Sequence, residues 1–146
     1  MHLFTEPQED LEYLAQQISK YPAKSLSALF ELLSKELQQH AKKDRRRGRP
    51  MRAAALHSAS DYLTESKREV SYLTSDASDI PIQEIRFRAY AISRFRYGKL
   101  AEFLSSLSTS LEQQKQYIVS GYLKEVQSRL VVAEKISPSE VSEVIS

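Results

Sequence analysis

The stretch Lys42-Lys43-Asp44-Arg45-Arg46-Arg47-Gly48-Arg49-Pro50-Met51-Arg52 sets seven cations and one acid within eleven residues. A second stretch, residues 86–99, carries Arg86, Arg88, Arg94, Arg96 and Lys99 with no acid. Guanidinium and ammonium groups at this density neutralise phosphate oxygens, and arginine does so bidentately. In the second stretch the arginines alternate with Phe87, Tyr90, Phe95 and Tyr97. Their rings can stack on bases at about 1–3 kcal/mol each. Cations and rings together hold a strand without reading its sequence. The candidate nucleic-acid-binding residues are therefore Lys42, Lys43, Arg45, Arg46, Arg47, Arg49 and Arg52 in the first block, and Arg86, Arg88, Arg94 and Lys99 in the second. Arg96 is set apart, because helical periodicity puts it on an apolar face, where a buried charge needs a partner. A competing arrangement pairs these arginines with the acids of the first and third helices.

The formal net charge of +2 conceals this segregation. Residues 42–52 carry a net +6 and residues 86–99 a net +5, so the remainder of the chain is acidic. Clustered positive charge of this kind is the footprint of a polyanion partner, here RNA or single-stranded DNA. Catalytic constellations are missing by contrast. His2, His40 and His57 are scattered, and there is no Cys to supply a nucleophile or thiolate ligand. Gly48, Gly98 and Gly121 are isolated and form no phosphate loop. His57 and Asp61 stand four apart, the spacing of a helix-surface contact. A non-enzymatic protein with no cofactor and no metal is expected.

The elements that must position these residues are helical. A length of 146 residues with 41% hydrophobic and 27% charged residues fits one domain. Apolar residues recur at helical spacing, and the expected fold is all-α, a single bundle of about five helices over residues 1–136. The first helix opens at Thr5 with a capping box to Gln8 and ends before Pro22. The second runs over 25–41 and leads into a basic loop, 42–50. The third spans 50–74, followed by a turn over 75–79 with Asp79 as N-cap. The fourth covers 80–107 with Ile82, Ile85, Ala89, Ile92, Leu100, Phe103 and Leu107 on one face. The fifth covers 110–136, opened by Ser110 and Gln113, with Leu111, Ile118, Tyr122, Val126, Leu130 and Ala133 inward. Residues 137–146 are expected to be a flexible tail. No apolar run approaches the ~20 residues of a membrane span, and the acidic N-terminus has no signal-peptide core. A cytoplasmic location is expected, consistent with the absence of Cys.

The four residues Arg47-Gly48-Arg49-Pro50 resemble the core of an AT-hook. That resemblance implies an extended segment in the minor groove of A·T-rich DNA with Arg47 and Arg49 inserted. The same run also fits a nuclear localisation signal, and a phosphate clamp fits it most simply. In overall layout, with one small helical bundle, separate basic patches and the stretch Ile85-Arg86-Phe87-Arg88-Ala89-Tyr90-Ala91-Ile92-Ser93-Arg94-Phe95-Arg96-Tyr97, the chain resembles the small helical subunits of CRISPR RNA-guided effector complexes of the Cascade type. This implies sequence-independent contacts to a target or displaced strand, with other subunits and further copies of the chain as partners. The segment Ile80-Pro81-Ile82-Gln83-Glu84-Ile85-Arg86-Phe87-Arg88 resembles a subunit of the GINS replication assembly, which implies a helical protein-interaction module instead.

Overall fold

In a computed structural model, residues 7–71 and 79–145 are described, with side chains described over 11–70 and 79–136. Six helices and no strand are found among them: α1 (Pro7–Ser19), α2 (Ala23–Arg46), α3 (Pro50–Ser71), α4 (Ile82–Ser93), α5 (Tyr97–Gln113) and α6 (Tyr117–Ile145). The all-α class holds, with one helix more than periodicity indicates. Thr5 and the expected turn residues 75–78 lie outside the described residues. Asp79 is exposed and Pro81 is the N-cap residue of α4 in its stead. None of the helices, over the described residues, is long and apolar enough to cross a membrane.

The extra helix comes from a break at Arg94–Arg96 in what reads as one continuous helix. No proline or glycine occupies the break. Instead α4 packs on α2, while α5 packs on α1 and α6. The two halves thus have different packing partners, and tertiary packing overrides local helical preference. Ile85, Ala89 and Ile92 of α4 and Leu100, Phe103, Leu104, Leu107 and Leu111 of α5 are all buried. Ile82 is not; it stays exposed at the start of α4.

The second correction concerns the α5–α6 boundary. Ser110 and Gln113 lie in the last turns of α5 and do not open the next helix. The chain leaves α5 through Lys115, at a φ of 65°. The N–H groups of Lys115 and Gln116 close back on the carbonyls of Glu112 and Leu111, both at 2.9 Å. This is a Schellman motif with lysine where glycine is usual. The α6 face is shifted accordingly, with Val119, Leu123, Val126, Leu130 and Ala133 buried and Ile118 exposed. The α6 backbone continues as helix to Ile145, across residues expected to be a tail.

Small polar residues let the helices approach closely. Ser34 donates to the carbonyl of Ser60 at 2.9 Å and meets Thr64 at 3.0 Å, joining α2 to α3. Ser108 and Ser120, both buried, meet at 2.7 Å between α5 and α6. Each pair satisfies polar atoms that would otherwise be costly to bury.

Helix direction is what positions the site. The Ile80 N–H donates to Ser25 Oγ at 2.8 Å near the start of α2. Seventeen residues on, the Tyr97 hydroxyl meets His40 Nδ1 at 3.0 Å near its end. The chain from α4 into α5 therefore runs parallel to α2, and the α4–α5 elbow arrives beside the C-terminal turns of α2 and the first turns of α3. The two basic blocks, more than thirty residues apart in sequence, meet there.

Candidate nucleic-acid interface

The first block is mostly helix, which corrects the expected loop over 42–50. Lysine and arginine are good helix formers, and Lys43, Arg45 and Arg46 in the last turn of α2 favour the negative end of its dipole. The helix stops at Gly48, whose φ of 75° is available to glycine without a steric penalty. The Gly48 N–H donates to the Arg45 carbonyl at 3.3 Å and the Arg49 N–H to the Asp44 carbonyl at 2.8 Å, again a Schellman closure. Pro50 then takes the first position of α3, where its missing N–H costs nothing. The Arg47-Gly48-Arg49-Pro50 stretch is thus a closed interhelical turn. An AT-hook needs that stretch extended.

Asp44, the block's one acid, divides its cations into two groups. Its side chain is 5% exposed, and its Oδ1 lies 3.7 Å from Arg49 Nη1. Its Oδ2 lies 3.0 Å from Arg52 Nε, a charge contact not aligned as a hydrogen bond. Arg49 and Arg52 are thereby committed to the turn, with side chains 26% and 19% exposed. Lys42, Lys43, Arg45, Arg46 and Arg47 are exposed and belong to no ion pair among the described residues.

On α4 the buried residues Ile85, Ala89, Ile92 and Ser93 face inward. Arg86, Tyr90 and Arg94 therefore succeed one another at four-residue intervals along the outer surface, a ridge about 12 Å long. Phe87 adjoins them, 73% exposed, and Tyr90 is 56% exposed. The Arg94 guanidinium lies over the Tyr90 ring, 5.3 Å from its centroid, and Nη1 donates to the Tyr90 hydroxyl at 2.8 Å. This orients cation and ring in one unit without neutralising either. Lys99 likewise lies over Phe95, at 4.8 Å, across the elbow. Arg88 departs from the group. It is partly buried and turned toward Tyr21, whose hydroxyl pKa is raised by burial and lowered in part by the Arg88 charge. Among the residues whose side chains are described, Arg86, Arg88, Arg94 and Arg96 form no ion pair with an acid of α1 or α3; Glu9 and Asp10 of α1 lie outside them.

The elbow corrects Arg96. It is exposed, as the extended N-cap residue of α5, and does not lie on a buried face. Arg96, Arg94 and Arg52 line a cleft of about 430 Å³ together with His40, Ser93, Phe95, Tyr97 and Glu134. Arg52 lies over the Tyr97 ring at 4.8 Å, and His40 meets the same ring edge-on at 6.0 Å between centroids. Glu134 Oε1 accepts the Gly98 N–H at 3.0 Å. A continuous-helix reading hides Arg96 and cannot find His40 or Glu134, which only tertiary structure brings in. Among the described residues, no group of three or more His, Asp or Glu could hold a metal ion.

His40 is held below its ordinary pKa of 6.5, chiefly by burial, with Lys43 and Arg52 acting in the same direction and Glu36 and Asp44 opposing. Burial raises the Tyr97 hydroxyl pKa, against the hydrogen bond and charge of Arg52. Both groups are therefore neutral near pH 7. Since the unfolded chain takes up a proton at His40 more readily than the folded one, this residue's stability contribution is complete above pH 6.5 and falls away as pH drops below it. Thermal melts at about pH 7.5 and about pH 5.5 should show a loss at the lower pH that is smaller in His40→Gln. An equal loss in the variant would place the effect elsewhere.

Compared with known proteins, the chain matches no protein-family model, no curated protein and no solved structure.

Proposed function

We propose that this chain is a non-catalytic nucleic-acid-binding subunit that holds a single strand, or one strand of a guide-paired duplex, by contacts to its backbone. The observation that carries this reading is the convergence of the two basic blocks at one end of the bundle. Lys43 of α2 acts on His40 and Arg52 of α3 stacks on Tyr97 at the elbow, and the Arg86–Tyr90–Arg94 ridge leads into it. Phosphates meet the cations, and bases can rest on Phe87 and Tyr90. Nothing in such a surface distinguishes one base from another, because every base offers a stacking face and every nucleotide a phosphate. The setting we propose is a multisubunit assembly of the CRISPR effector type, in which base pairing elsewhere supplies specificity and this chain steadies the strand. RNA or single-stranded DNA and neighbouring protein subunits are its partners there, in the cytoplasm.

Fluorescence anisotropy with oligo-thymidylate, oligo-uridylate and a mixed-sequence DNA strand of equal length tests this at low salt. All three are expected to bind with affinities within a few-fold of one another. A strong base preference would contradict the backbone reading. No binding to any of them would remove it.

A further inference from the structure

The elbow cleft differs from the ridge that leads to it. The ridge is convex and open, suited to a passing strand, whereas the cleft is concave and gathers donors around a volume of about 430 Å³. That is within the size of small-ligand sites and too small for more than a nucleotide or so. We infer that the elbow cleft binds the phosphate monoester at the end of a nucleic-acid strand, an inference that rests on the strand-binding function proposed above.

The number of donors favours a monoester over an internal diester. Arg94 and Arg96 against Glu134 leave one positive charge on the cleft lining, and Arg52, whose charge Asp44 offsets at 3.0 Å, adds further N–H groups. A terminal phosphate carries about −1.5 to −2 at neutral pH and three strongly accepting oxygens. An internal phosphate offers only two free oxygens, and would leave donors of the cleft unmatched. The His40–Tyr97 pair supplies one more donor whichever way its proton points. If the tyrosine hydroxyl donates to Nδ1, the neutral ring keeps its Nε2–H; if Nδ1–H donates, the hydroxyl proton is released. Glu134, whose carboxylate takes the Gly98 N–H at 3.0 Å, stands on the same lining. It also sets a boundary, because a strand continuing past it would bring a further phosphate against a carboxylate. The cleft is thus a terminus for the strand that the ridge delivers.

The test compares oligo-thymidylates of one length bearing a 5′-phosphate, a 3′-phosphate or hydroxyls at both ends. A hydroxyl-ended oligomer one nucleotide longer carries the extra phosphate internally, as a singly charged diester, and serves as the control. One of the phosphorylated oligomers is expected to bind about tenfold tighter than that control, the effect of one or two added charge-assisted hydrogen bonds. Arg96→Gln and Arg94→Gln weaken all binding somewhat but should bring this ratio to near unity. Both residues are exposed, so circular dichroism and melting temperature should stay unchanged. Equal affinity for phosphorylated and longer control oligomers would overturn the cleft assignment and leave the strand surface standing. So would a ratio that survives both substitutions. Absence of binding to every oligomer would overturn the strand surface and the cleft together.

Discussion

Neutralising Arg45, Arg46 and Arg47 together, as glutamine, is expected to weaken single-strand binding by about a hundredfold at about 0.1 M salt. The reasoning is counterion release. Each phosphate neutralised on a single strand contributes about 0.7 to the log–log salt slope, so three lost contacts flatten it by about 2. With about six phosphates engaged by the wild type, a slope near −4 would fall to near −2. These arginines are the right ones to remove because they are exposed and outside the Asp44 knot. Two of them also complement the α2 dipole, at roughly 0.3–1 kcal/mol each, so the bundle should stay folded with a slightly lower melting temperature. A slope unchanged in the triple variant would mean that these side chains do not meet phosphates.

The second large effect is expected from Asp44→Asn, which should move stability and affinity in opposite directions. Asp44 is the buried counter-charge of Arg49 and Arg52. Removing one partner of a fully buried ion pair costs about 3–5 kcal/mol. Both guanidinium groups here keep some contact with solvent, which lowers the expected loss to about 2 kcal/mol, or roughly 4–8 °C in melting temperature for a chain of this size. The backbone closure on the Asp44 carbonyl survives the substitution, so the turn itself should persist. The released arginines then become available to phosphate, and the salt slope should steepen by up to about 1.4. Chemical denaturation and salt-dependent anisotropy on the same preparation would show this. A variant that lost both stability and affinity would mean that the Asp44 pairing is needed to present the cationic surface.

How much of this was legible in the sequence depends on the kind of signal. The helical class followed from apolar periodicity, and so did most of the core, because Leu26, Leu29, Phe30, Leu33 and Leu37 can be buried on only one helical face. Gly48 and Pro50 marked the end of α2 and the start of α3 because each has a backbone preference of its own. Lys115 carried no such mark, and the same Schellman closure built on a lysine went unread. The elbow was illegible for a different reason. Ile85 to Leu107 are in phase for one straight helix, and the break accompanies a change of packing partner, from α2 for α4 to α1 and α6 for α5. Misreading it carried Arg96 to the wrong environment and left the cleft invisible. Within the basic block, composition alone gave seven equivalent cations. What separates Arg49 and Arg52 from the other five is the position of one carboxylate, which sequence spacing leaves open.

In the function proposed above, residues 42–47 and 86–99 form one surface for one strand. Amide chemical-shift mapping of the uniformly labelled protein against a short oligo-thymidylate at low salt tests it directly. Lys42–Arg47 and Arg86–Lys99 are expected to shift together, with a single saturation curve. The turn around Tyr117, one α5 length of about 25 Å from the elbow, should not move. Shifts confined to one block, separate saturation of the two, or a response centred on Tyr117 and Ile118 would contradict it.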